Sequence, residues 1–177
     1  MQIPRRSNQP ELCNYMIEVK MEHKLKVMSP DIIMEPLLDL LDEAEAVPLV
    51  ISGNSMTPFL VHGRDTVYLS KPDKPLKRGD MVLYQRINGA YVLHRILKVR
   101  NDSYTMVGDA QTHPEPGIKA EQIRAVVTAV RRKDKLLQKG SFWWNFFEKV
   151  WIRMVPLRPA ARRIYSFAKF LYSKGEL

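Results

Sequence analysis

The feature that most restricts the fold is the stretch 47–131, in which short apolar or alternating runs are separated by turn-forming residues. The runs typical of β-strands are 47–52, 64–70, 81–86, 91–99, 103–107 and 122–131. Asn88-Gly89 lies between two of these runs and is a strong signal for a hairpin turn. Many short strands separated by turns predict a mainly β protein, built on an antiparallel coiled sheet or barrel.

The sequence divides into four regions around this pattern. They are a disordered or loosely packed N-terminus (1–28), a leading helix (29–46), the β domain (47–133) and a basic, aromatic tail of amphipathic helices (134–177). The leading helix is predicted because Ser29 suits the N-cap and Pro30 suits the first helical position. Pro36 is expected to kink or split this helix.

The positive charge of the chain is concentrated near its C-terminus. The whole chain has a formal net charge of +9, and residues 131–177 hold 12 Lys or Arg but only 3 Asp or Glu. A basic segment rich in aromatic residues is typical of a protein that contacts an anionic surface, either membrane lipid or nucleic acid. The sequence has no motif that reads DNA or RNA, so nucleic acid is the weaker choice.

Two interpretations of the tail stay open. Its large apolar residues fall at helical spacing and are expected on one broad face, namely Phe142, Trp143, Phe146, Phe147, Val150, Trp151 and Met154. A second short helix is predicted at 162–172. The flanking Lys and Arg favour an interfacial anchor on an anionic membrane. Large aromatic stripes are also typical of segments that dock on the protein's own sheet, and we give the two interpretations equal weight.

His94 is the first candidate for catalysis. In the run 91–99, Val92, His94 and Ile96 share one face of the predicted strand, so His94 is expected to lie among aliphatic side chains. Burial disfavours the imidazolium cation, and a neutral imidazole can accept a proton as a general base. A histidine taken alone is more often a core residue with a satisfied hydrogen bond.

Ser55 is the second candidate, in the stretch Ile51-Ser52-Gly53-Asn54-Ser55-Met56-Thr57-Pro58-Phe59-Leu60. A nucleophilic serine needs an accessible hydroxyl, a base within reach and backbone N–H groups close to the developing oxyanion. Gly53 permits close approach of the backbone, and the N–H of Ser55 is a natural oxyanion donor. The alternative is that these small residues form a turn between two strands.

Four short motifs carry a resemblance to a known family. They are Ser55-Met56-x-Pro58, Arg78-Gly79-Asp80-Met81-Val82, Leu93-His94-Arg95 and Gly108-Asp109-Ala110. In this order they resemble the type I signal peptidases and the related LexA-type self-cleaving peptidases. The resemblance implies a coiled β-sheet of that type, with Ser55 as nucleophile and His94 as general base. The His94-Arg95 pair is similar to the Ser/His form of the family rather than to the Ser/Lys form.

The third catalytic residue is left open between two acids. In the Ser/His form an acid follows the Gly-Asp motif by six residues, and here that position is Glu115 rather than the more common Asp. Glu115 is expected to orient His94 and to stabilise its imidazolium form. Asp109 is the competing candidate. His62 and His113 are expected at the surface, no metal-ligand spacing joins them, and no cofactor is expected.

The expected activity is that of a serine endopeptidase that cleaves precursor or membrane-associated proteins. No Ala-Gly or Cys-Gly dipeptide precedes Ser55, and a self-cleaving LexA-type protein would be expected to use a lysine base, so cleavage of another protein is favoured. The alternative is a self-cleaving or inactive LexA-like module that interacts at the membrane surface. Because no run is apolar enough for a signal peptide or a span, we expect a cytoplasmic or peripheral membrane location.

Overall fold

The computed structural model describes residues 30–101 and 103–159, with only the backbone described for 30–33. Three predictions therefore lie outside the described residues: the loosely packed N-terminus, the Ser29 cap and the second tail helix at 162–172. The leading helix α1 spans Pro30–Glu43 and contains Pro36.

Within the part of the chain that the structure describes, eight strands follow this helix. They are β1 (Val47–Val50), β2 (Thr66–Ser70), β3 (Met81–Gln85), β4 (Tyr91–Arg100), β5 (Ser103–Val107), β6 (Glu115–Lys119), β7 (Ile123–Arg132) and β8 (Lys135–Gln138). A single 3₁₀ turn, Ala120–Gln122, joins β6 to β7. The chain then continues as α2 (Phe142–Asn145), a π-helical turn (Phe146–Val150) and a 3₁₀ helix (Trp151–Leu157).

The strands form one antiparallel sheet in the order β1-β2-β7-β3-β4-β5-β6, with β8 added beside β7. The long strand β7 pairs with β2 and also with β3 and β8. No pairing joins β1 to β6 among the described strands, so the sheet is open rather than closed into a barrel. The prediction of a mainly β, antiparallel fold is confirmed.

Two of the strands, β6 and β8, were not expected. The sequence of β6, Glu-Pro-Gly-Ile-Lys, carries a proline and a glycine that are typical of turns. As the last strand in the sheet order, β6 tolerates Pro116 because a proline on an edge strand need not donate to a neighbour. The outcome places Glu115 at the start of a strand rather than in a loop.

The two faces of the sheet bury different cores. Helix α1, the loop that follows β1 and the C-terminal helical residues pack on one face, around Phe59, Leu69 and Trp144. The other face encloses a smaller core that includes Tyr84 and Ile96. Alternation along β4 places Val92 and Ile96 with this smaller core, as the strand pattern predicted.

The β3–β4 hairpin sets the register that the site depends on. Gly89 has φ +85°, a conformation that glycine adopts without steric cost, and the Arg86 N–H donates to the Ala90 carbonyl at 2.9 Å. Strand pairing then aligns Val82 with His94. Tyr84 lies two residues from Val82 on the same face, so its side chain reaches His94 diagonally.

The C-terminal helical segment, residues 142–158, docks on the sheet by its inner side. Trp144 and Phe147 are buried in the larger core, whereas Phe142 and Trp143 are exposed. The prediction that Phe142, Trp143 and Phe147 share one broad face is therefore wrong. Successive residues of a helix are rotated by about 100°, so Trp143 and Phe142 point about 100° and 200° away from Trp144, the side chain that enters the core. No described helix has the length and apolar character needed to cross a membrane.

Candidate active site

Ser55 lies in the loop between β1 and β2. The loop is anchored by buried Met56, Phe59 and Leu60, and its backbone closes on itself through a bond from the Leu60 N–H to the Met56 carbonyl at 2.9 Å. Gly53 has φ +88°, which allows the chain to turn sharply before the serine. Apolar anchoring on one side of the loop leaves Ser55 half-buried and at the wall of a cavity.

His94 is brought to Ser55 by the close approach of Gly108. A Cβ atom built on Gly108 would lie 2.5 Å from the Ser55 carbonyl oxygen and 3.1 Å from His94 Nε2. Only glycine fits between them, because real Cβ atoms do not approach other heavy atoms so closely. The Ala110 N–H donates to the Ser55 carbonyl at 2.8 Å and holds the two loops together. Within the described residues, no hydrogen bond joins the Ser55 hydroxyl to His94.

Tyr84 stands between His94 and Glu115. Its hydroxyl donates to Glu115 Oε2 at 2.7 Å and lies 3.2 Å from His94 Nδ1. A phenol has one proton, and since the carboxylate can only accept, that proton belongs to the bond with Glu115. His94 must then carry a proton on Nδ1 and donate it to the tyrosine oxygen. This tautomer leaves Nε2, which faces Gly108 next to the Ser55 backbone, as a proton acceptor.

Arg86 completes the group by pairing with Glu115. Its Nε and Nη2 donate to the two carboxylate oxygens at 2.8 and 2.6 Å. These bonds, helped by the Tyr84 hydroxyl, hold the pKa of Glu115 below its usual value. Glu115 is therefore an anion at neutral pH, fixed in a bidentate geometry.

The environment of His94 favours its neutral form. The residue is 2% exposed, and this burial lowers its pKa from 6.5 to about 4, with Arg86 adding to the effect and Glu115 opposing it. Burial likewise raises the pKa of Tyr84, so the phenol keeps its proton. The result is a neutral imidazole whose unprotonated nitrogen lies against Gly108 beside the serine loop, and a general base requires this neutral state.

Asp109 is not part of this chain of contacts. Its carboxylate accepts from Arg95 Nε at 3.1 Å and Nη2 at 3.0 Å, and both side chains are almost fully buried. Arg95 also donates to the Gly79 carbonyl at 2.9 Å and lies over the Phe59 ring. Because Arg95 and His94 are successive residues on a strand, they point to opposite faces. The structure thus brings Ser55, His94 and Glu115 together, and it places Asp109 in a buried ion pair beneath the loops.

The two predicted oxyanion donors differ in their availability. The Gly53 N–H donates to His62 Nδ1 at 3.0 Å. The Ser55 N–H has no acceptor among the described residues, so it is the donor available to an incoming oxyanion. His62 and His113 are both exposed, as predicted.

A cavity of about 270 Å³ adjoins these groups. It is lined by the loop residues 51–53 and 55–56, by 91–94 of β4, and by Arg86 and Gln111. Within β4, residues 91–95 pair with β3, but pairing with β5 begins only at Arg95. Among the described residues, no strand pairs with the second edge of 92–94, and this edge beside the serine loop suits the binding of an extended chain.

Tyr84 and Arg86 are the site residues that sequence reasoning missed. Both lie in the predicted strand 81–86, and the signal that identifies them is the Asn88-Gly89 turn. A hairpin at that turn pairs β3 with β4, which brings alternate residues of β3 to the face that carries His94.

Comparison with models of protein families gives a match. The family model described as Peptidase S24-like covers residues 17–130, a range that contains Ser55, His94, Asp109 and Glu115. It ends before β8 and the C-terminal helical segment. A search of curated proteins found no match.

Proposed function

Because this chain belongs to the S24-like peptidase family, we propose that it is a serine endopeptidase with Ser55 as nucleophile and His94 as general base. The observation that carries the proposal is the orientation of the imidazole: Nδ1 is bound to Tyr84, and Nε2 lies beside the Ser55 loop. A buried, neutral histidine held in this way has the protonation state that a base needs.

The proposed reaction proceeds in two steps. His94 Nε2 takes the proton of the Ser55 hydroxyl as Oγ attacks the peptide carbonyl, and the Ser55 N–H binds the oxyanion. The imidazolium then gives its proton to the leaving amine, and an acyl-enzyme remains. A water molecule, deprotonated by His94, attacks the ester, and the proton returns to Ser55 as the acid product leaves.

Tyr84 and Glu115 take the place that a single carboxylate has in a Ser-His-Asp triad. Glu115 is an anion, so it stabilises the imidazolium that forms in each step. Its effect reaches His94 through the phenol, which also holds the tautomer. Arg86 fixes the carboxylate but opposes the positive charge on His94. Arg86 therefore fixes the orientation of Glu115 and at the same time lowers the basicity of His94.

The proposed substrates are precursor or membrane-associated proteins, cleaved in a segment that adopts an extended strand. The second edge of β4 at 92–94, with which no described strand pairs, and the neighbouring cavity support this binding mode. By resemblance to the signal peptidases, small side chains next to the cut are preferred. A second candidate, a self-cleaving or inactive LexA-like module, is favoured by the family relationship, since S24-like proteins are related to self-cleaving repressors.

One experiment separates these functions. Purified wild-type protein, Ser55→Ala and His94→Gln would each be incubated with host membranes and cell extract, and new N-termini mapped by mass spectrometry. Ser70→Ala is the matched control, since this serine lies on β2 and bonds to Thr128. Termini that appear with wild type and the control but vanish with both site variants support the peptidase. Truncation of the protein itself supports the self-cleaving module. Identical maps refute the peptidase and self-cleavage, and they support the inactive module.

We also propose that the outer side of the C-terminal helical segment contacts an anionic membrane surface. Phe142 is 73% exposed and Trp143 50% exposed, and Val150 and Leu157 are exposed as well. Exposed Lys149 and Arg153 lie within the same segment. Aromatic side chains combined with cations suit the interface between lipid headgroups and acyl chains.

Vesicle sedimentation tests this contact. Binding to vesicles that contain phosphatidylserine is expected, with weaker binding to pure phosphatidylcholine and at high salt. Changing Phe142 and Trp143 together to Ser is expected to weaken binding by at least roughly tenfold, since each large side chain contributes about 1.5–3 kcal/mol when buried. Ile87→Ser is the control, because it removes a fully exposed apolar side chain from the β3–β4 turn. Binding that is unchanged in the double variant, or that occurs only with nucleic acid, refutes the contact.

A further inference from the structure

The C-terminal helical segment contacts the active site from outside the region that the family model covers. The contacts converge on the turn Gly108–Gln111, in which the Gln111 N–H donates to the Gly108 carbonyl at 3.0 Å. This turn approaches both Ser55 and His94 through Gly108, and it binds the Ser55 carbonyl through Ala110. The position of the turn therefore sets the spacing between the serine loop and the imidazole.

Arg158 is the main contact. Its Nη1 donates to the carbonyl oxygens of Gly108 and Gln111, both at 2.7 Å, and its Nη2 donates to the Trp151 carbonyl at 3.3 Å. Trp151 in turn donates from Nε1 to the Asp109 carbonyl at 2.9 Å. Three of the four carbonyl groups of the turn thus accept bonds from the C-terminal helical segment.

The guanidinium of Arg158 is costly to bury. The residue is 1% exposed, its Nε has no partner among the described residues, and no carboxylate there lies within ion-pair distance. Burial lowers its pKa, although Asp109 opposes the effect. A buried cation bonded only to backbone carbonyls contributes little net stability. Its contacts are instead suited to holding one loop in a defined position.

We propose that Arg158 is a positioning residue for the Ser55–His94 pair, which it acts on by clamping the Gly108–Gln111 turn. The inference rests on the proposed peptidase function, in which the distance from Ser55 Oγ to His94 Nε2 determines the rate. Gly79 supports the same docking, because a Cβ there would lie 2.6 Å from the Glu148 side chain and 2.8 Å from its carbonyl oxygen. Only glycine permits the segment to lie this close to the sheet.

The test compares full-length Arg158→Met, Arg158→Lys and Arg124→Met with wild type. Methionine keeps an apolar stem but removes the guanidinium, and lysine keeps the charge with fewer donors in a different geometry. Arg124 is the matched control, since it is an exposed arginine on β7, away from the Gly108–Gln111 turn. Three quantities are measured: hydrogen exchange of the Ala110 amide, titration of the His94 ring by NMR, and kcat and KM on a peptide found by the N-terminal mapping.

In Arg158→Met the Ala110 amide is expected to exchange faster, by roughly tenfold or more, because local opening is easier. The His94 pKa is expected to rise from about 4 towards 6.5 as water reaches the ring. Loss of alignment is expected to lower kcat by roughly 10- to 100-fold with little change in KM. Arg158→Lys should recover part of each effect, and Arg124→Met should match wild type.

A folded Arg158→Met protein with wild-type exchange at Ala110 and a wild-type His94 titration overturns the proposal. If Arg158→Met does not fold, Arg158→Lys tests the proposal by the same two measurements. Partial changes in the Ala110 exchange rate and the His94 pKa support the positioning role of Arg158, and wild-type values overturn it. The exchange and titration measurements need no substrate. A wild-type protein that cleaves nothing therefore refutes the peptidase function, while these two measurements still test the clamp.

Discussion

Tyr84→Phe removes the hydroxyl that joins His94 to Glu115 and leaves the rest of the side chain in place. Glu115 keeps both of its bonds to Arg86, so its charge stays compensated. The buried Nδ1–H of His94 loses its acceptor. Leaving a buried donor unsatisfied costs about 1–3 kcal/mol. This cost destabilises the tautomer in which His94 can act as a base. We therefore expect kcat to fall by roughly 5- to 150-fold.

The assay has two readouts. The first is kcat and KM on a peptide substrate, with KM expected to stay near the wild-type value because Tyr84 does not line the cavity. The second is the NMR signal of the His94 ring nitrogens, which reports the tautomer directly. Tyr104→Phe is the matched control, since Tyr104 packs against the same small core and its hydroxyl has no hydrogen bond among the described residues. A Tyr84→Phe protein with kcat close to wild type and Nδ1 still protonated would refute the role of Tyr84 in holding the His94 tautomer.

Three further outcomes are expected. The native state keeps His94 neutral down to about pH 4 whereas the unfolded chain binds a proton near 6.5, so the unfolding free energy is expected to fall by about 3 kcal/mol as the pH drops through this window. Urea titrations of wild type and His94→Gln across this pH range measure the difference. If the unfolding free energy of both proteins changes equally with pH, the low pKa of His94 is contradicted. Asp109→Asn leaves Arg95 buried without its anion and is expected to cost about 3–5 kcal/mol; wild-type stability with lost activity would instead make Asp109 catalytic. Gly108→Ala forces a methyl group against the Ser55 carbonyl and the His94 imidazole and is expected to lower kcat by roughly 100-fold. Circular dichroism checks that the variant is folded, and kinetics measure kcat. A folded variant with wild-type kcat would contradict the close approach of Gly108 to Ser55 and His94.

The site combines a hairpin, an edge strand, a loop and a turn that are separate in the sequence. The hairpin β3–β4 supplies His94, Tyr84 and Arg86, and the edge strand β6 adds Glu115. The loop after β1 supplies Ser55, and the turn after β5 holds that loop against the hairpin. The buried pair of Arg95 and Asp109 lies under this junction on the opposite face of the sheet. Geometry near Ser55 therefore depends on contacts that are distant in sequence.

The sequence by itself determined the class of the fold, the burial of His94 and the family of the chain. Alternation along 91–99 and the Asn88-Gly89 turn depend on local geometry, which is the same wherever a strand or a hairpin occurs. For that reason the antiparallel sheet and the burial of His94 could be predicted. The order of short motifs predicted the family to which the chain belongs, and the family model confirms that prediction. The catalytic role of Ser55 stays a prediction.

Only the tertiary structure decided how these residues are connected. Tyr84 lies between His94 and Glu115, and Asp109 pairs with Arg95, because strand register and the sheet's two faces determine which side chains meet. The same holds for the tail, where docking on the sheet decides that Trp144 is buried and its neighbour Trp143 is exposed. Contacts of this kind join residues far apart in sequence, and no local pattern records their distance or direction. They exist only when the complete core is packed, since burial and register are properties of the whole sheet.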